Sequence, residues 1–402
     1  LTAVALIEYF THGEGVEIAL VHPGLSRPIV TSAGTGPDGR AVTRATLALC
    51  ARRLIIDFHG LPSDWDATED AAERNEAALR LTPAVTAFQR AGEILEKKLA
   101  NPRFRYAMTY WSRLGSALLP PPIRTGLTGI ELLCVVPHGP LHGLPFAALA
   151  WGDDEVVADR FGVCMVPSAT VLKYCQGKNP ARYERRPPRR AFVAGVAAAR
   201  DEVAEDMESD GDLLRARIRT EELSGPSGDT AANRRPVIEG MRGAELIHLA
   251  FHGVFDDALD PMKGSGLLVA AEGKRPVLDS TATAAAGAFI SAHDILGMNL
   301  DAAALVTLRA CSSGRTAIRG ADELFGLARA FLYAGAPCLL ASLWNVNKRS
   351  SRALLDMFYA EWLGSGTDKW RALWHAQCRL RDSGEYDHPY HWASFVLVGD
   401  WI

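Results

Sequence analysis

Apolar positions fall into two rhythms along this chain. Residues 3–10 (AVALIEYF) and 15–22 (GVEIALVH), parted by Thr11-His-Gly-Glu14, read as two antiparallel strands, with 28–31 as a third. From residue 131 onward the apolar runs are short and nearly unbroken. They cover 131–137 (ELLCVVP), 161–167, 191–196 (AFVAGV), 245–253 (ELIHLAFHG), 266–271 (GLLVAA), 305–311 (LVTLRAC), 337–346 and 392–398. Unbroken runs of this length fit strands covered on both faces. Between them lie stretches of helical spacing: 42–58, 82–119 (Ala87, Ala91, Leu95 and Leu99 recur four apart), 168–175 with Ser168 as N-cap, 200–224, 321–334 closed by Gly335, 349–363 and 368–382. Residues 64–80, acidic and Ala-rich, read as a helix or a solvated linker. Strands alternating with helices predict a largely parallel sheet in a three-layer α/β arrangement.

The basic, Pro-rich segment 177–190 (GKNPARYERRPPRR) reads as a solvated linker. It divides the chain into an N-terminal α/β and helical half, 1–180, and a second half, 190–402. Composition adds little against this picture: 402 residues, 48% apolar and 22% charged, suit a soluble globular chain of two halves. A net charge of −4 gives no reason to expect nucleic acid or an anionic membrane as partner. No apolar run reaches the 18 residues of a membrane span, and no signal peptide is evident. Seven scattered cysteines without a C-x-x-C pair imply reduced thiols, and hence a cytoplasmic location, rather than a disulfide framework or zinc site. The chain begins at Leu1, from which a trimmed protein lacking an N-terminal partner segment is expected.

Two apolar runs end in chemically useful residues. One closes on His252-Gly253, the other on Cys311-Ser-Ser-Gly314. Ligands of open α/β sheets bind beyond the carboxyl ends of strands. Either residue alone would read as structural: Cys311 as a small core residue, His252 as a strand-end histidine. Together, at the ends of neighbouring parallel strands, they would lie about 5 Å apart, within reach of a shared reaction. His248 falls on the same strand face as His252 and reads as a buried structural histidine. His138 and His142 invite a metal reading, but Gly139 and Pro140 between them argue against a helix and no third ligand is near. No cofactor or metal is expected.

The sequence Arg309-Ala-Cys311-Ser-Ser-Gly314, with a histidine 59 residues upstream, is close to the caspase pattern of an Ala-Cys-x-Gly run and a preceding His. With PHGPLHGLPFAAL (137–149), VPSATVLKY (166–174), ELIHLAFHG (245–253), LVTLRACSSG (305–314), FLYAGAPCLLASLWNV (331–346) and HWASFVLVGD (391–400), the chain resembles the CHAT family. These are caspase-like and separase-like cysteine proteases often attached to helical repeats. The resemblance spans roughly 137–402. It implies a caspase-like three-layer α/β catalytic half at 190–402, preceded by a pseudo-protease-like half.

It also implies a cysteine endopeptidase. Cys311 would be the nucleophile and His252 the acid/base, with the N–H groups of Gly253 and Cys311 receiving the oxyanion. A protein substrate and a sensor or helical-repeat regulator, on a missing segment or another chain, would be its partners. Some relatives are bacterial immune proteases that cut a gasdermin-like or other effector protein. Ala341-Ser-Leu-Trp344-Asn345-Val-Asn347 resembles the separase segment whose acidic residues receive a P1 arginine, but carries asparagines at those positions. A pocket of Arg309, Asp256, Ser342 and Trp344 is expected. Arg309 would favour an acidic P1 or instead pair with Asp256, Asp257 or Glu323; Asp256 and Asp257 would favour a basic one. Two other classes stay open: a catalytically silent scaffold or sensor-docking module, and a hydrolase or acyltransferase acting on a small molecule.

Overall fold

In the computed structural model, the described residues are 3–13, 15–36, 39–48, 50, 114–152, 155–179, 187–195, 214, 222–224, 234–254, 265–269, 289–309, 311–312, 321–344, 346 and 348–402. Most of the helical stretches expected at 42–58, 64–80, 82–119 and 200–224 lie outside them, as do Asp256, Asp257, Ser313, Gly314, Asn345 and Asn347.

Eleven strands form one sheet. In chain order they are β1 (Val4–Thr11), β2 (Val16–Val21), β3 (Ile29–Ser32), β4 (Leu132–Val136), β5 (Gly162–Met165), β6 (Arg190–Gly195), β7 (Glu222–Ser224), β8 (Leu246–Ala250), β12 (Leu305–Leu308), β14 (Cys338–Ser342) and β15 (Phe395–Gly399). The remaining four, β9 (His252–Val254), β10 (Gly266–Leu268), β11 (Phe289–Ser291) and β13 (Cys311–Ser312), form a second, smaller sheet.

The large sheet runs β3-β2-β1-β4-β5-β15-β14-β12-β8-β6-β7. Strands β1, β4, β5 and β15 are mutually parallel, and so are β14, β12, β8, β6 and β7. The two sets meet at the antiparallel pair β14–β15. The order β1-β4-β5-β15 on one side therefore mirrors β6-β8-β12-β14 on the other about an approximate two-fold axis. The final strand of the chain pairs with β5, so the sheet is continuous across the basic linker. A consequence for function is that the carboxyl ends of the two strand sets lie at opposite ends of the sheet.

Burial explains the layering. Every residue of β4, β12, β14 and β15 is buried, which requires cover on both faces. In β1 and β2 burial alternates, so one face of the N-terminal meander stays open. Two local fits seat the cover. Gly162 leaves room for the Trp370 ring, whose nearest carbon would stand 2.5 Å from any Cβ there. Tyr359, in the helix Lys348–Ser365, hydrogen-bonds His248 Nδ1 (3.0 Å) and Thr307 Oγ1 (2.6 Å), tying that helix to β8 and β12. His248 is the buried structural histidine expected from its position.

Four details differ from the pattern reading. Glu222–Ser224, at the end of the stretch expected to be helical at 200–224, is strand β7. The run 392–398 is not one strand: Pro389–Trp392 is a short helix and β15 starts at Phe395. The run 337–346 is a strand only over Cys338–Ser342. Gly139 and Pro140 do exclude an α-helix, yet Gly139–Gly143 winds as a 3₁₀ turn, with His142 Nδ1 2.8 Å from Gly139 O.

Candidate active site

The two apolar runs that end in His252 and Cys311 are neighbouring parallel strands, paired from Leu246↔Leu305 to Leu249↔Leu308. The pairing continues one step, with the Arg309 N–H donating to Leu249 O at 2.9 Å. Neither run reaches its reactive residue inside the large sheet, as the unbroken apolar pattern implied. Both leave it, at Phe251 and after Arg309, and pair again as β9 and β13. There Cys311 is the register partner of His252, and Ser312 of Gly253. The offset is 59 residues for Leu249↔Leu308 and the same 59 for His252↔Cys311. The register is thus carried intact from one sheet into the other, and the backbones of His252 and Cys311 stand about one strand spacing, ~5 Å, apart.

The second sheet runs β11-β10-β9-β13. His252 is flanked by Leu268 on β10 and Cys311 on β13; Gly253 is flanked by Leu267 and Ser312. Strand β13 forms the sheet's edge among the described residues. Consecutive strand residues turn their N–H groups to opposite sides, so one of Cys311 and Ser312 presents its N–H to β9 and the other to the open edge. This small sheet was missed as a unit from sequence. Its signals were the short run from Gly266 and the β-branched Ile290 in Phe289-Ile-Ser291, too brief to name a partner.

The other site candidates scatter more. Asp256 lies outside the described residues. Arg309, half-buried, and Ser342, 4% exposed, each stand one residue beyond the pair Leu308↔Ala341, on adjoining parallel strands. Trp344 follows at the same end of the sheet, 3% exposed, its indole N–H donating to Tyr390 O at 3.1 Å. Structure therefore brings Arg309, Ser342 and Trp344 to the end of the sheet from which β9 and β13 extend.

Four of the other cysteines have thiols that burial raises. Cys50, Cys134, Cys164, Cys175 and Cys338 are all buried. Burial raises the thiols of Cys175 and Cys338 to about 12 and that of Cys164 well above its ordinary value. Cys378, partly exposed, is also raised by burial, and its thiol donates to Ala158 O at 3.5 Å. A buried thiol in apolar surroundings resists forming the thiolate that attacks. His138 is engaged elsewhere. Its Nδ1 accepts from the Thr11 N–H (3.1 Å) and hydroxyl (2.7 Å), and its ring lies tilted against Phe10, centroids 5.0 Å apart. Among the described residues no group of three His, Cys, Asp or Glu could hold a metal ion, and no helix is long and apolar enough to cross a membrane.

Comparison with known proteins gives a consistent frame. The family model described as the CHAT domain matches residues 109–400. Human tetratricopeptide repeat protein 28 is 26% identical over 299 residues, which is 66% of this chain and 12% of that protein. Its mouse counterpart is 34% identical over 110 residues, 27% of this chain and 4% of that one. The chain thus matches at most about an eighth of the length of these curated relatives. Among solved structures, two of the Saccharomyces cerevisiae separase–securin complex superpose with TM-scores of 0.53 and 0.54, at 10% identity, covering 99% of this chain and 30% of that one. That likeness concerns the fold, which in separase is the caspase-like one.

Proposed function

The chain belongs to the CHAT-domain family, and from that premise we propose that it is a cysteine endopeptidase using Cys311 and His252. The observation that supports this reading is the register pairing of the two residues across β9 and β13. A peptide bond resists water, and a thiolate divides its hydrolysis into two easier steps. His252 takes the Cys311 proton, and the sulfur attacks the carbonyl carbon. The oxyanion that forms is received by N–H groups, for which Gly253 and Cys311 are the candidates. Collapse of that intermediate expels the amine, protonated by His252, and leaves a thioester. Water, deprotonated by the same imidazole, then releases the acid. Arg309, Asp256, Ser342 and Trp344 form the pocket for the residue before the scissile bond.

The substrate is a protein, an effector of gasdermin-like type being one class to try. A regulator docks from another segment or chain. The securin named with separase and the repeats named in the curated relatives are the support for that partner. A peptide library cleaved by the wild type and by neither Cys311→Ala nor His252→Ala is the expected result; equal cleavage by all three would refute the assignment. One observation favours a second reading, a silent docking module: the curated relatives are named for repeats, not for an activity. Under that reading Cys311→Ala changes no assay at all.

A further inference from the structure

The link that follows β14 carries Trp344 and leads into the helix Lys348–Ser365. Its two ends are tied to a single stretch of chain near the C-terminus. The Leu343 N–H donates to Ser394 O at 2.8 Å, the Trp344 indole N–H donates to Tyr390 O at 3.1 Å, and Ser350 Oγ lies 2.9 Å from His391 Nδ1. All five residues around these bonds other than Leu343 are buried: Trp344 3%, Ser350 1%, Tyr390 5%, His391 7% and Ser394 1% exposed.

The stretch that holds them is itself rigid. The Ala393 N–H donates to Pro389 O (2.9 Å), Ser394 Oγ to His391 O (2.9 Å), Trp392 Nε1 to Asp387 O (3.0 Å) and Gln377 Nε2 to Phe395 O (3.0 Å). The His391 ring packs edge-on to Tyr390 at 4.9 Å and against Tyr386 at 5.2 Å. Leu343, Trp344 and Ser350 are thus each fixed to one braced element.

We infer that Tyr390–Ser394 is a clamp that sets the position of Trp344, with His391 and Ser350 as its positioning pair, and so determines which P1 side chain the pocket accepts. This rests on the endopeptidase reading, because the selectivity it assigns is that of peptide cleavage. The clamp's hydrogen bonds given above run to Leu343, Trp344 and Ser350, so the effect assigned to it is on substrate fit.

The test compares Ser350→Ala, His391→Ala and His391→Asn, whose amide can reach Ser350 from the Nδ1 position. Tyr9→Phe serves as control, since it removes a buried bond to Leu118 O far from the pocket. Ser350→Ala and His391→Ala are expected to change the kcat/KM ratio between two P1 residues about tenfold through KM, with kcat within about threefold. His391→Asn restores the ratio, and Tyr9→Phe lowers stability without moving it. Hydrogen exchange at the Leu343 amide reads the clamp without any substrate and should quicken about tenfold or more in Ser350→Ala. An unchanged Leu343 exchange rate overturns the clamp, whatever the activity. A P1 ratio that moves equally in Tyr9→Phe reduces it to general stability. A wild type that cleaves no peptide, while Leu343 still responds, overturns the endopeptidase reading and leaves the clamp standing.

Discussion

The two halves of the sheet carry the same token at matching places and use it differently. His138-Gly139 follows β4, and His252-Gly253 follows β8. Counting three residues past Val135↔Met165 gives His138 and Ser168; counting three past Leu249↔Leu308 gives His252 and Cys311. In the first half the strands stop. Gly139 takes φ 56° and the chain turns into the 3₁₀ segment, His138 is held by Thr11, and Ser168 caps the helix Ala169–Lys178 by accepting from the Val171 N–H at 3.2 Å. In the second half β9 and β13 hold the paired register beyond the large sheet. What separates a structural corner from a candidate site is therefore not the His-Gly pair. It is whether the strands re-pair after it.

The sharpest way to break this comparison is to treat the two register-equivalent residues alike. Cys311→Ala should reduce peptide cleavage about a thousandfold or more. Ser168→Ala should cost about 1 kcal/mol of cap stability and leave cleavage intact. Steady-state assays and thermal melts on the two variants read both quantities.

A second pair probes the small sheet. A Cβ at Gly266 would stand 2.1 Å from Ile290 O, so Gly266→Ala must part β10 from β11. With β9 leaning on β10, a shift near 1 Å should lower kcat/KM about a hundredfold, with the far-UV circular dichroism little changed. Gly139→Ala, at φ 56°, should cost about 1–2 kcal/mol in a denaturant melt and spare activity.

Two buried tyrosine hydroxyls compare the halves in stability. Tyr359→Phe loses bonds to both His248 and Thr307 and should cost about 2–3 kcal/mol; Tyr9→Phe loses one, to Leu118 O, and should cost about 1 kcal/mol. Urea unfolding of the two variants checks the order.

A further expected effect is of pH, and it belongs to the second half. Burial lowers the His391 imidazole to about 4, against the opposing charges of Asp387 and Glu385. The unfolded chain binds this proton near pH 6.5 and the folded one only near 4. The neutral-histidine contribution is therefore complete above about 6.5 and is lost as pH falls through that window. Between pH 7 and pH 5 the loss is up to about 2 kcal/mol, and His391→Asn should flatten it.

Strand positions were legible wherever an apolar run was long and bounded: β4, β5 and β6 fall inside the stretches 131–137, 161–167 and, but for Arg190, 191–196. Partners were not. Apolar residues specify burial and not a neighbour, so nothing in 392–398 announced that β15 would join β5 to β14. The same limit hid the break at Phe251, which is buried like the strand before it although the chain there changes sheets. The His252–Cys311 pairing was legible because two short apolar runs, both closing on a reactive residue, need only lie side by side. The clamp on Trp344 was not, since its polar bonds join residues 41 to 51 positions apart and depend on a helix, Pro389–Trp392, that the apolar pattern disguised as strand.

The central claim is that Cys311 is the activated thiol of this chain, and competitive alkylation tests it most directly. Substoichiometric iodoacetamide, followed by peptide mass spectrometry, ranks all seven cysteines in one experiment. The account expects Cys311 to be labelled first, to label more slowly in His252→Ala, and to show a rate that in the variant rises only at higher pH, as for an unassisted thiol. Labelling of Cys378 ahead of an inert Cys311, with no response to His252→Ala, would contradict it.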